Sequence, residues 1–298
     1  MRNIGNRSIP LYLMILPGLL FFLLFRYIPM GGLVLAFKDY DPLSGFASSP
    51  WVGFDNFRKL FVDPDFWIIL RNTFVLSGIN LIFFFPVPII MALILNEARL
   101  PWVKKIVQTT IYIPHFVSWV VVAGITIVLF ATQDGGINKL LVQNGLPRFE
   151  LLTDPSYFRG LFLFQNIWKE MGWSTIIFLA SLASVDPGLY EAAYVDGAGR
   201  WRQMWHITLP SLRSIAVILF ILRLGQVMDV GFEQILLLQN SLNLQVSDVF
   251  DTFVFRKGVQ QGEFSFTTAV GLFKSVVGLI LVLSFNWIAR KFGEEGVY

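Results

Sequence analysis

Six stretches of this chain are apolar for long enough to cross a bilayer, a passage that takes about 20 mostly apolar residues in a helix. They lie near residues 11–36, 67–95, 106–131, 160–183, 214–238 and 268–289. Between them the pattern turns polar, and the segments at 38–66, 132–159 and 239–267 contain turn formers such as Asp41-Pro42 and Gly135-Gly136. The predicted architecture is an all-α integral membrane protein with about six transmembrane helices. Pro86, Pro88 and Pro114 fall inside predicted spans. Each reads either as a kink or as a proline tolerated because neighbouring helices satisfy the freed carbonyls.

The first stretch follows Arg2 and Arg7, as the apolar core of a signal peptide does. No small-x-small cleavage site comes after it. Arg26, Tyr27 and Pro29 follow instead, and then more apolar residues through Phe37. A retained first span is expected.

Composition agrees with this pattern. Residues are 55% hydrophobic and 14% charged, against about 25% charged in soluble domains. Too few charges remain to clothe a water-facing surface. The net charge is only +3, and the basic residues sit near span ends, which leaves no footprint for nucleic acid. Cysteine is absent, and the two histidines, His115 and His206, stand far apart, so thiolate chemistry and a histidine metal cluster are excluded. The tight 96–105 connection carries Arg99, Lys104 and Lys105 and places that connection, and with it both termini, on the cytoplasmic side.

The connection between the fourth and fifth spans, 184–213, is the most informative segment. Asp186 is placed to accept hydrogen bonds from the first free amides of a helix, with Pro187 at its first position. Gly197 supplies a residue able to take positive φ and end that helix. A second helix follows, on which Trp201, Met204, Trp205 and Thr208 recur at i, i+3, i+4 and i+7. Two readings stay open from periodicity: a knob that docks into a cytosolic partner, or a loop packed on its own spans.

Glu191-Ala192-Ala193, three residues, Gly197, nine residues and then Ile207-Thr208-Leu209-Pro210 resemble the EAA signature of ABC importer permeases. The resemblance implies a type I (MetI-like) permease fold whose coupling helices sit in a groove of a separate ATPase. In that arrangement Glu191 faces the ATPase, with Asp196 beside it on the coupling segment. Gly197 makes the turn, Ala192 and Ala193 allow close approach, and Ile207, Leu209 and Pro210 anchor the second helix. Further stretches are similar to sugar-importer permeases of the polysaccharide and oligosaccharide branch. They are Ala36-Phe37-Lys38-Asp39-Tyr40, Trp51 through Phe57, Asn72-Thr73, Gly231 through Ile235, Asp251 through Arg256, and Gly293-Glu294-Glu295-Gly296. This chain has six spans and no large inserted outer domain, unlike the eight-span maltose archetype.

The resemblance implies an oligosaccharide cargo, uronate-containing in some members. It implies four kinds of partner: a second homologous permease, two ATP-binding-cassette subunits, an extracytoplasmic solute-binding protein and membrane lipid. No cofactor is expected on this chain, since ATP and Mg belong to the ATPase subunits and no Gly-x-x-x-x-Gly-Lys-Ser/Thr loop is present. The expected location is the bacterial cytoplasmic (inner) membrane. The expected division is 1–66, holding the first span and first outer loop, and 67–298, the permease core.

Polar residues at membrane depth are costly unless paired or water-lined. Asn80, Gln165, Asn166, Trp168, Lys169, Glu170, Arg223, Gln226, Asp229, Glu233 and Lys274 lie in or near spans. Arg223, Gln226, Asp229 and Glu233 are spaced to share one face of a continuous fifth helix. With Trp168 they form the expected substrate pathway. A structural Arg223–Asp229 ion pair and a position near the membrane surface for Lys169 and Glu170 are the alternatives. A secondary transporter or channel is the competing class, but no internal repeat is visible and the 184–213 loop would have no purpose.

Overall fold

The computed structural model describes residues 4–291, with side chains from Pro10 onward. The side chains of Arg2 and Arg7 and the whole of Gly293–Gly296 therefore lie outside the described residues. Among the described residues three helices are long and apolar enough to cross a membrane unaided: Pro10–Phe37, Pro64–Glu97 and Phe264–Lys291. Three bent helix pairs bring the number to six if each pair is one span. The chain is all-α and multi-span, with one isolated antiparallel bridge between Lys38 and Trp51 among the described residues.

Two predicted spans are broken. The third, expected as one helix over 106–131, consists of Pro101–Phe116 and Trp119–Phe130, bent by 93°. Pro114 lacks an N–H to carry the ladder onward, and Ser118 restarts it, its hydroxyl accepting from the Val121 amide at 3.4 Å. In the fifth, expected over 214–238, the helix Arg213–Gly225 stops and a short helix Phe232–Leu238 follows. Gly231 takes φ +47° between them, which only glycine adopts readily. Arg223, Gln226, Asp229 and Glu233 consequently do not share one helical face.

The chain divides into two compact units, one made of residues up to Asp63 with Val254–Phe273, the other of Pro64–Phe253 with Lys274 onward. In the first, the buried Lys38 donates to the carbonyls of Phe46 (2.8 Å) and Ala47 (3.3 Å), and it stands over the rings of Phe46 and Trp51. Asn56, also buried, bridges the Ala36 and Lys38 carbonyls at 3.0 and 2.9 Å. Phe37, Phe54 and Phe57 pack together with centroids 5.5–5.7 Å apart. The 38–66 segment is thus a built platform rather than a tether. The most apolar stretch of Pro10–Phe37 buries nothing against the described chain.

In the second unit, Leu76, Ala123, Phe158, Phe162, Val230 and Ile235 form one core, and Ala92, Phe178, Leu182 and Leu212 another. The long helix Pro155–Ala183, capped by Asp154 accepting from the Ser156 amide at 2.8 Å, runs through both. Gly172 lets it approach the third span so closely that a Cβ there would run into the Ile111 carbonyl. A buried polar chain locks the same helix to Phe232–Leu238. Asn166 donates to Gln234 Oε1 (2.7 Å), Gln234 donates to Gln165 Oε1 (3.0 Å), and Gln165 donates to Thr126 Oγ1 (2.9 Å). Satisfied amides of this kind fix register at membrane depth, where a lone one would be costly.

Candidate functional site

The 184–213 connection folds as two limbs around a glycine. The first, Pro187–Val195, turns 68° away from Pro155–Ala183. Asp186 Oδ1 accepts from the Gly188 amide at 2.9 Å and Pro187 takes the first position. The chain reverses at Gly197, φ +75°, with the Ala198 amide reaching back to the Ala193 carbonyl at 2.9 Å. The second limb, Arg200–Ser211, stands 49° from Arg213–Gly225. Tyr190 Oη and Thr208 Oγ1, 3.1 Å apart, tie the limbs together, as does Gln203 Nε2 donating to the Ala198 carbonyl at 2.9 Å.

Burial separates the roles of the two limbs. On the first, Leu189, Glu191, Ala192, Tyr194, Val195, Asp196 and Gly197 are exposed, with Val195 at 84%. On the second, Thr208 is fully buried and Ile207 and Leu209 half-buried, while Pro210 is exposed. Trp201, Met204 and Trp205 face Ile90, Leu93 and Ile94 of the second span across an open groove of about 710 Å³. Arg200 reaches Glu97 there at 3.9 Å. The second limb is held at its buried Thr208, with Trp201 and Trp205 still 75% and 59% exposed, and the first projects with Leu189, Tyr194 and Val195 uncovered by the described residues.

At membrane depth the pairing differs from expectation. Arg223 does not meet Asp229; its guanidinium stacks 4.4 Å from the Phe84 ring centroid. Asp229 instead pairs with Lys274, which also binds Asp251. The helix ending at Gly225 is the reason, because it removes residue 229 from the face that carries Arg223. Arg223 and Gln226 line a small cavity of about 190 Å³ with Phe84, Phe85 and Ser174. Trp168 and Glu233 are exposed and lie outside that cavity. Lys169 and Glu170 are paired within the chain. Lys169 is buried, donating to the His115 carbonyl (2.8 Å) and Glu170 Oε1 (3.0 Å) above the Trp119 ring. Glu170 Oε2 lies 2.8 Å from His115 Nδ1, and the His115 ring stacks on Trp173 at 4.5 Å and 6°. Among the described residues no three of His, Cys, Asp and Glu stand together as a metal site.

Residues 84–294 match the family model described as binding-protein-dependent transport system inner membrane component. The chain belongs to that family. Among its relatives, the permease is 54% identical over 288 residues to the polygalacturonan/rhamnogalacturonan transport system permease protein YteP of Bacillus subtilis, covering 97% of this chain and 90% of that one. It is equally identical to protein LplB of the same organism, covering 91% of it. Among solved structures it superposes with TM-score 0.88, at 41% identity and 98% coverage of both chains, on a chain of the bacterial alginate ABC transporter in complex with an alginate pentasaccharide-bound periplasmic protein. The permease is thus a non-catalytic, multi-pass inner-membrane subunit of an ABC importer. It translocates a sugar or oligosaccharide within a system of permease, solute-binding protein and ATPase.

Three residues that sequence reasoning passed over stand out in the permease. His115 entered as one of two well-separated histidines, and Trp119 and Trp173 were not singled out. The structure gathers them around Lys169 and Glu170 at the bend of the third span. A charge at membrane depth announces that a partner exists. It does not say which residue, and here the partner is 54 or 55 positions away.

Proposed function

We propose that this permease forms one half of a transmembrane pathway for acidic, hexuronate-containing oligosaccharides. A second homologous permease forms the other half, and two ATPase subunits, holding ATP and Mg, drive it from the cytoplasmic face. The observation that carries the coupling role is the exposed first limb, which offers Glu191, Ala192, Asp196 and Gly197 beside the uncovered side chains of Leu189, Tyr194 and Val195. An apolar surface with a charged rim, standing off the end of a span, suits helix-in-groove docking. Ile207, Leu209 and Pro210 belong to the limb that roots this surface. Both termini then lie on the ATPase side.

The cargo class is supported by two similarities, to a polygalacturonan/rhamnogalacturonan permease at 54% and to an alginate transporter chain at 41% identity. Arg223, Gln226, Asp229, Glu233 and Trp168 remain the pathway candidates.

Reconstitution of the complex with its binding protein tests this reading. Binding protein loaded with oligogalacturonate or oligoalginate should stimulate ATP hydrolysis and uptake, and neutral oligosaccharides of equal length should do so less. Stimulation by the neutral sugars alone would remove the uronate assignment.

A further inference from the structure

Lys274 is the one charged residue of Phe264–Lys291 before its basic end at Arg290 and Lys291. A cation at that depth needs one carboxylate, and Lys274 has two, which are not equivalent. Asp251 sits on the short helix Phe250–Val254, between the fully buried Phe250 and Phe253. That helix is pinned at its start by Thr252 Oγ1 donating to Asp248 Oδ1 at 2.7 Å. Asp229 stands in the non-helical link between Gly225 and Gly231, its side chain 61% exposed against 24% for Asp251. One carboxylate neutralises Lys274; the second leaves a net negative charge and repels the first. Asp229 is therefore the surplus ligand, and a rotamer change alone withdraws it, because its neighbours Val227, Met228 and Val230 stay buried.

We infer that Lys274 is a carboxylate-binding subsite of the pathway, where a hexuronate carboxylate takes the position that Asp229 holds when no cargo is present. Asp251 keeps the ammonium aimed throughout. Exchange of one carboxylate for another spares the cargo the cost of stripping an unpaired lysine of its partner. It also gives the cargo a competitor that helps it leave, and a transport site needs both easy entry and easy exit. A neutral sugar cannot displace Asp229, so the exchange favours acidic cargo. The inference rests on the acidic-cargo reading above.

The test uses the purified complex without its binding protein, so that the binding protein's own selectivity does not enter. Binding of trigalacturonate and of its neutral methyl ester is compared. Lys274→Gln should weaken acid binding at least about tenfold and leave the ester unchanged, as expected for loss of one partner of a close charge pair. Lys274→Arg should restore it. Asp229→Asn keeps the Lys274–Asp251 pair and should tighten acid binding several-fold. An equal effect of Lys274→Gln on acid and ester, or acid binding that Asp229→Asn leaves unchanged or weaker, overturns the subsite. If Lys274→Gln does not assemble, Asp229→Asn alone decides. Failure of the wild-type complex to import acidic cargo while importing neutral cargo would instead remove the proposed function on which the subsite rests. Normal acid import with an indifferent Lys274 removes the subsite alone.

Discussion

The first limb of the coupling loop and the cluster around Lys169 depart from ordinary burial in opposite directions. The limb leaves Leu189, Tyr194 and Val195 in the open, although they are apolar. The cluster buries an ammonium and half-buries a carboxylate and an imidazole, all three supplied with partners from their own chain. Where apolar groups stay uncovered, the missing half of the contact belongs to another molecule. Where charges are covered and matched, the chain has completed the contact itself. The limb is thus built for something that arrives, and the cluster for holding the bend of the third span against Pro155–Ala183.

If that contrast is right, mutations should separate stability from assembly. The largest effect falls on the cluster: Lys169→Met removes one partner of a buried ion pair and should destabilise the protein by about 3–5 kcal/mol. Thermal unfolding of the detergent-solubilised complex reads this, and a change under 1 kcal/mol would mean the cluster is open to water. Next comes Glu191→Lys on the limb. It should weaken ATPase association by about 100-fold, near the lower end of the range for a charge lost from an interface, while leaving the unfolding midpoint of the isolated permease unmoved. Normal co-purification of the ATPase would place the docking surface elsewhere. Gln234→Leu strands Asn166 and Gln165 and should cost about 2 kcal/mol, again without loss of ATPase binding. The smallest effect is Gly197→Ala. Placing a Cβ at φ +75° costs about 1 kcal/mol, and the cost should appear as weaker coupling of ATP hydrolysis to uptake more than as lower stability.

The coupling loop was legible because its signals are local. Asp186-Pro187 and Gly197 each dictate a conformation within a few residues and are found as read, whereas the 201–208 stripe, read as α-helical, turns π-helical over Met204–Thr208 and brings only Trp201, Met204 and Trp205 to one groove. The fifth span was misread for the converse reason. Gly225 and Gly231 are tolerated in membrane helices, so an apolar run containing them looks continuous. The break is held by contacts distant in sequence, such as the Ser77 hydroxyl donating to the Val227 carbonyl, 150 positions away. The bend of the third span was half legible: Pro114 marked the place, but its 93° angle depends on the fourth span packed across it at Gly172. Ion-pair partners were the least legible. The charge of Lys274 was visible in the sequence, and its choice of Asp229 and Asp251 over Arg223's neighbourhood was not.

The bare stretch 10–31 of the first helix carries a consequence for how this gene can drift. A segment that answers to no side chain of its own subunit is free to exchange one greasy residue for another wherever only hydrocarbon touches it. Any position that refuses such exchange must be answering to a neighbour from outside. A saturation scan of that helix would therefore trace the outline of its absent companion, written as a strip of intolerance down one side.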